Sequence, residues 1–197
     1  MPHVDFWYDF ASPYSYPAAA RIADEAAHRG VSVTWRPFLL GPIFNRKGLP
    51  TSPLKTDRVK GAYAWRDLGR ICARYGLPFA EPPGFPQNSL LAARVALVLD
   101  ETARPDFTVA VYRAQFGEGK TISEVEVIAG VLAALGHDAA LIDRTRDDAI
   151  KLALRHQTEH AEALEVFGAP FFITGGGEPF WGHDRMEDAL DWATKKG

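Results

Sequence analysis

Residues 3–9 alternate along an extended chain, with Val4, Phe6 and Tyr8 on one side and Asp5, Trp7 and Asp9 on the other. A tryptophan on the second side predicts a strand covered on both faces. The pattern then changes period. Over residues 13–29, Tyr16, Ala19, Ala20, Ala23, Ala26 and Ala27 recur at helical spacing, and Gly30 follows as a C-cap. Pro17, one turn beyond Pro13, predicts a bend early in that helix. Val31, Val33 and Trp35 alternate with Ser32, Thr34 and Arg36 in a second strand that ends at Pro37. The opening is β-α-β.

From about residue 55 to 166 the pattern is helical throughout. Residues 58–75 place Ala62, Trp65, Leu68, Ile71, Cys72 and Tyr75 at spacings of three and four, stopped by Gly76 and Pro78. Asn88 is placed to cap an apolar run to about Asp100. Ser123 with Glu126 has the spacing of a capping box before a helix closed by Gly136. Beyond this lobe, residues 167–174 read as turn and strand, Gly175 to Gly177 as a hairpin connection, and residues 178–181 as a partner strand. Asp184, with Glu187 three residues on, starts a last helix. The order β-α-β, helices, β-β-α predicts one unit from residues 1–45 and 166–197, interrupted by a helical insertion at 46–165.

A chain of 197 residues with 47% hydrophobic and 24% charged residues can bury a sizeable core. Its 22 Lys and Arg against 25 Asp and Glu are scattered along the chain, without the basic stripe that nucleic acid requires. No segment approaches the ~18 apolar residues of a membrane span, and the start lacks the run of a signal peptide, so the expectation is a cytoplasmic protein. Cys72 is the only cysteine, which excludes an internal disulfide, a CxxC pair and a cysteine-based zinc site. His156 and His160 are one helical turn apart, but no third ligand is placed with them, and no metal is expected. Gly175 to Gly177 precede a strand, so they do not form a phosphate cradle.

Two short segments carry chemistry. Ser12-Pro13-Tyr14-Ser15 stands where the first strand turns into the first helix, and free N–H groups with the helix dipole stabilise an anion there. Ser12 as an N-cap with Pro13 at N1 accounts for the same pair without any function. Gly168-Ala169-Pro170-Phe171-Phe172 begins a strand with a proline. A cis bond at Pro170 leaves the N–H and C=O of Ala169 free to pair with an extended ligand, whereas a trans proline at a strand start needs no ligand. Taken together, and embedded in β-α-β and β-β-α halves, the two segments predict a thioredoxin-like α/β fold in which helix N-terminus and proline loop meet.

The stretch Asp9-Phe10-Ala11-Ser12-Pro13-Tyr14-Ser15-Tyr16 resembles the opening of the 2-hydroxychromene-2-carboxylate isomerases and kappa-class glutathione transferases, which group structurally with DsbA-type thiol oxidases. Further matches follow in order: Arg36-Pro37-Phe38-Leu39-Leu40-Gly41, Thr51-Ser52-Pro53, Lys60-Gly61-Ala62-Tyr63 with Arg66-Asp67-Leu68, Pro86-Gln87-Asn88-Ser89, Phe167-Gly168-Ala169-Pro170, and Trp181-Gly182-His183-Asp184-Arg185. The oxidoreductases of the group carry Cys-Pro-x-Cys where this chain has Ser12-Pro13-Tyr14-Ser15, and a serine hydroxyl cannot cycle through a disulfide.

The resemblance implies glutathione as cofactor, with Ser12 hydrogen-bonded to its sulfur and Pro13 beside it. Ala169 and Pro170 would hold the cysteinyl portion. His183 and Asp184 would hold the γ-glutamyl end, although Asp184 serves equally as a helix N-cap and relatives often carry a small polar residue at the position of His183. Lys60 would approach the glycyl carboxylate, or stand as a solvated helix lysine, and Asn88 would lie near the substrate pocket, or act as a cap. The implied reaction is isomerisation of 2-hydroxychromene-2-carboxylate in naphthalene-type catabolism. The thiolate adds reversibly, the ring opens, a bond that has become single rotates, and elimination gives trans-o-hydroxybenzylidenepyruvate. A kappa-like transferase, or a non-catalytic glutathione or peptide binder, would use the same scaffold. The resemblance also implies a small aromatic substrate and a homodimer.

Overall fold

The computed structural model describes residues 1–196; Gly197, the end of the expected second segment, lies outside the described residues. Four strands form one sheet in the order β2-β1-β3-β4. Strand β1 (His3–Tyr8) runs parallel to β2 (Ser32–Pro37) and antiparallel to β3 (Phe171–Thr174), and β3 runs antiparallel to β4 (Pro179–Trp181). Helix α1 (Ser15–Arg29) makes the β1–β2 crossover and ends at Gly30 in a left-handed conformation, φ 64°. This is the thioredoxin-like order read from the sequence.

The alternation in β1 and β3 sorts aromatic side chains onto two covered faces. On one, Phe6 stacks on Phe172 at 5.3 Å and meets the edge of Trp35 at 5.0 Å, beneath Ile22 of α1 and Met186 and Leu190 of α9 (Met186–Lys196). On the other, Trp7, Phe171 and Ile173 pack with Ile43 of α2 (Leu40–Arg46) and Ala161 of α8 (Asp148–Ala163). Trp7 has no exposed surface, so the second face is covered at its centre, while Asp5 on the same side is partly exposed and pairs with Arg36 at 3.0 Å. Each apolar side chain withdrawn from water contributes about 1.5–3 kcal/mol.

Between β2 and β3 the chain adds α3 (Pro53–Thr56), α4 (Arg58–Arg74), α5 (Leu90–Val98), α6 (Arg104–Tyr112) and α7 (Val125–Ala134) ahead of α8. The first core cluster joins Phe6 and Tyr8 of the sheet to Leu68, Ala92, Phe107, Val111 and Leu132 of these helices. The Tyr8 hydroxyl meets Thr108 at 2.8 Å, and Arg104 donates to the Trp35 carbonyl at 3.3 Å and the Ala96 carbonyl at 2.7 Å. The helical segment is therefore packed directly on the sheet. A π-helical turn, Arg113–Gly117, extends α6 and was not legible as a pattern.

Several local expectations are corrected. Pro17 is the third residue of α1, where an amide has no intrahelical acceptor in any case, so its missing N–H removes no bond within the helix. The N-cap of α1 is Tyr14, so Ser12 does not occupy that place. No capping box forms at Ser123, because α7 begins at Val125 with Glu124 as an N-cap that makes no side-chain bond. Asp184 lies in a 3-10 turn, His183–Arg185, ahead of α9, and Glu187 pairs with Arg21 rather than with Asp184.

Candidate active site

Strand β1 ends by turning sharply. Asp9 accepts the Ala11 N–H at one carboxylate oxygen, 2.9 Å, while its backbone carbonyl accepts the Ser12 N–H at 2.8 Å. Two further i to i+3 bonds, Ser15 N–H to Ser12 and Tyr16 N–H to Pro13, both 3.2 Å, wind the chain into α1. The Tyr14 N–H has no partner among the described residues. Ser12 therefore stands just before the positive end of a helix of 15 residues.

The second segment arrives opposite. The Ala169–Pro170 bond is cis, and the Ser12 hydroxyl donates to the Ala169 carbonyl at 2.7 Å. The two signals 158 positions apart in sequence, Ser12 and Pro170, are thus neighbours. One expectation is corrected: only the N–H of Ala169 is free among the described residues, because its carbonyl is held by Ser12.

Both segments line a cavity of about 790 Å³. Its walls are largely apolar, from Leu39, Phe44, Leu49, Leu54, Phe167 and Trp181. Such a volume and lining suit a small aromatic ligand. The polar side chains are those of Ser12, Tyr14, Asn45, Thr51, Ser52, Gln87, Asn88 and Ser89 and the buried Asp9, with Lys47 the one cation among the described lining residues. A Cβ on Gly168, at the rim, would lie 2.5 Å from Trp181 Nε1, so a side chain there would displace the Trp181 ring.

Asp9 was not singled out as a site residue from the sequence, yet it holds the cavity floor together. Its second carboxylate oxygen accepts the Leu40 N–H at 2.7 Å at the start of α2, Ser89 bonds it from the start of α5, and Tyr112 donates to its backbone carbonyl at 2.8 Å. Burial pushes its carboxyl up from the usual range, against the lowering effect of Ser89, Ala11 and Leu40. The signal available in the sequence was its position, directly after a buried strand and three residues before Ser12.

The other predicted residues divide. Pro13, Ala169 and Asn88 line the cavity; Asn88 also accepts the Leu90 N–H at 3.0 Å, one residue ahead of the α5 N-cap, Ser89. Pro170 is buried beneath. His183 and Asp184 lie beside the cavity, joined to it through Tyr14, whose ring lies parallel to that of His183 at 5.8 Å and whose hydroxyl donates to Asp67 at 3.0 Å. Burial lowers the His183 pKa, against Asp184 and Asp67, and its Nδ1 is buried without a partner among the described residues. The Asp184 carboxylate is exposed, 4.0 Å from Arg185. Lys60 is not among the lining residues; it points to solvent with 74% of its side chain exposed, 3.8 Å from Asp57.

Among the described residues no cluster of three His, Cys, Asp or Glu is placed to hold a metal ion, and no helix is long and apolar enough to cross a membrane.

This geometry has counterparts. A solved 2-hydroxychromene-2-carboxylate isomerase superposes with a TM-score of 0.87 at 28% identity, covering 98% of this chain and 95% of that one. By sequence the chain is 28% identical over 187 residues to the 2-hydroxychromene-2-carboxylate isomerase of Sphingobium xenophagum, spanning 93% of this chain and 94% of the relative. It is 26% identical over 206 residues to glutathione S-transferase kappa 1 of Caenorhabditis elegans, spanning 97% and 90%. The cytosolic disulfide reductase DsbM of Pseudomonas aeruginosa, solved with GSH, shares the fold alone, with a TM-score of 0.69 at 17% identity over 98% of this chain and 96% of that one. With a match that runs from residue 3 to residue 191, the chain belongs to the family of the DSBA-like thioredoxin domain.

Proposed function

We propose that this protein is a glutathione-dependent isomerase acting on 2-hydroxychromene-2-carboxylate or a closely similar aromatic acid. The observation that carries the reading is Ser12, a hydroxyl 2.7 Å from the Ala169 carbonyl at the edge of a largely apolar cavity, in the place where thiol oxidases of this fold carry a cysteine. A site of this shape without its own sulfur suits a thiol brought in by a ligand.

Glutathione, when bound, supplies a thiolate that adds reversibly to a conjugated double bond and leaves it free to rotate. The protein's part is to hold that thiol ionised. A free thiol near pKa ~8.5 is only a few per cent ionised at neutral pH, and lowering it by about two units, worth ~2.7 kcal/mol, makes most of it nucleophilic. The α1 N-terminus, the open Tyr14 N–H and the Ser12 hydroxyl are the groups that favour the anion. The N–H of Ala169 is open to donate to the backbone carbonyl of an extended peptide alongside. His183 and Asp184, reached through Tyr14, are assigned to the γ-glutamyl end, and Lys47 to the carboxylate of the aromatic acid. Lys60, solvated and away from the lining, is assigned no role. The reading extends to the cytoplasm, where thiols are kept reduced, and to a homodimer, as the family resemblance implies.

The similarity to a kappa transferase, nearly equal in identity and coverage, supports a second reading in which the same thiolate is transferred to an electrophile. Turnover of the chromene, followed by ultraviolet absorbance with and without glutathione, tests the choice. Isomerisation that needs glutathione and consumes none is the expected result. Glutathione consumed mole for mole with an electrophile, and no isomerisation, would favour the transferase. Neither activity would leave a non-catalytic binder.

A further inference from the structure

The Ser12 hydroxyl has one proton, and that proton is committed. It lies on the Ala169 carbonyl at 2.7 Å, where no other described residue donates. The same hydroxyl is assigned above to a sulfur anion. It cannot donate to both. If it turns to sulfur while a ligand covers the site, the Ala169 carbonyl loses its partner in a half-buried position, and that loss opposes the turn. The loss vanishes when the ligand itself brings a donor to Ala169. The neighbouring Ala169 N–H, open among the described residues, marks where such a ligand's backbone would run.

We propose that Ser12 and Ala169 form a hydrogen-bond exchange that restricts the site to thiols bearing an amide N–H beside the sulfur-carrying residue. The ligand N–H takes the Ala169 carbonyl, and the Ser12 hydroxyl, so released, turns to the sulfur. The thiol proton leaves to solvent, and no bond other than S–H is broken. Thiols that lack the N–H enter the same cavity but are ionised less readily. The proposal rests on the glutathione reading and deepens it: it names the class of thiol the site activates, namely cysteinyl peptides, and makes Ala169 a part of the selection.

The test uses the ultraviolet absorbance of the bound thiolate across a pH series, with two ligands at saturation. One is glutathione. The other is its depsipeptide analogue, in which the cysteinyl amide N–H is replaced by an ester oxygen, each compared with its own pKa in water. Glutathione lowered, and the analogue lowered by about one to two units less, is the expected result, the size of one buried carbonyl left without a partner. Equal lowering of both overturns the exchange and leaves the glutathione reading intact. Lowering of neither overturns that reading as well.

A second measurement covers an analogue that binds too weakly to saturate. In Ser12→Ala no hydroxyl has to be displaced from Ala169. At a pH well below the thiol pKa, the variant therefore binds glutathione roughly three- to tenfold more tightly than the wild type, by calorimetry. Weaker binding by the variant at that pH would overturn the exchange.

Discussion

Asp9→Asn tests whether the cavity floor is held by a carboxyl whose proton matters. The side chain accepts the N–H of Ala11 at 2.9 Å and that of Leu40 at 2.7 Å on separate oxygens. Asparagine keeps the volume but offers one acceptor oxygen, so one of these N–H groups is left facing an NH₂. An unsatisfied buried donor costs about 1–3 kcal/mol. With a urea slope of about 2 kcal/mol/M, the midpoint falls by about 0.5–1.5 M.

The pH dependence carries a sign. Burial, the largest influence on Asp9, raises its pKa, so the folded state binds the proton more tightly than the unfolded chain. The resulting stability is complete below the unfolded value of about 3.9, and is lost as pH rises through the folded value. The amide that replaces the carboxyl in the variant does not titrate, so the gap between wild type and variant is widest in acid and narrows as pH climbs. Urea unfolding of both proteins from pH 4.5 to 8 measures it. A gap that widens with pH would refute the reasoning, because it would mean that the three donors to Asp9 outweigh its burial.

Three further outcomes follow from the packing and the charges. A Cβ on Gly61 of α4 would collide with the backbone carbonyl of Leu54, which also walls the cavity, so Gly61→Ala is expected to destabilise by about 2 kcal/mol or more; an unchanged melting temperature would contradict this. Lys47→Met is expected to raise KM for an anionic aromatic substrate several-fold with little change in kcat, an effect that shrinks with added salt, since Lys47 is exposed; an unchanged KM at low salt would remove Lys47 from the site. Cys72 has no exposed surface and burial pushes its thiol up to about 11. Ellman's reagent at pH 8 should find no thiol in the native protein and one per chain in denaturant; prompt native labelling would contradict the burial.

The elements legible in the sequence were those whose signals are local. Alternation in β1 marked both of its faces, Trp7 included, and the alanine spacing with Gly30 marked α1. The meeting of Ser12 with Ala169 was legible because two local signals, each weak alone, occur in halves of the chain whose order permits one sheet. What escaped was set by contacts distant in sequence. Two of the bonds to the Asp9 carboxyl come from Leu40 and Ser89, and no spacing relates these residues to a strand end. The Ser123 and Glu126 pair has the right spacing for a capping box, yet the helix starts later, at Val125, and the pair does not close. Lys60 sits on the expected helix, but helical periodicity does not say which turn faces a cavity built by other elements, and this side chain faces solvent. The hold of Ser12 on the Ala169 carbonyl was likewise beyond the sequence, which left that carbonyl free for a ligand.

The central claim is that this site binds glutathione and holds its thiol ionised through Ser12. The most direct measurement is the ultraviolet difference absorbance of the bound thiolate against pH, in wild type and in Ser12→Ala. A bound thiol pKa about two units below ~8.5 in the wild type, returning toward that value in the variant, is the predicted result. Glutathione that fails to bind, or ionises in both proteins as it does in water, would contradict the account.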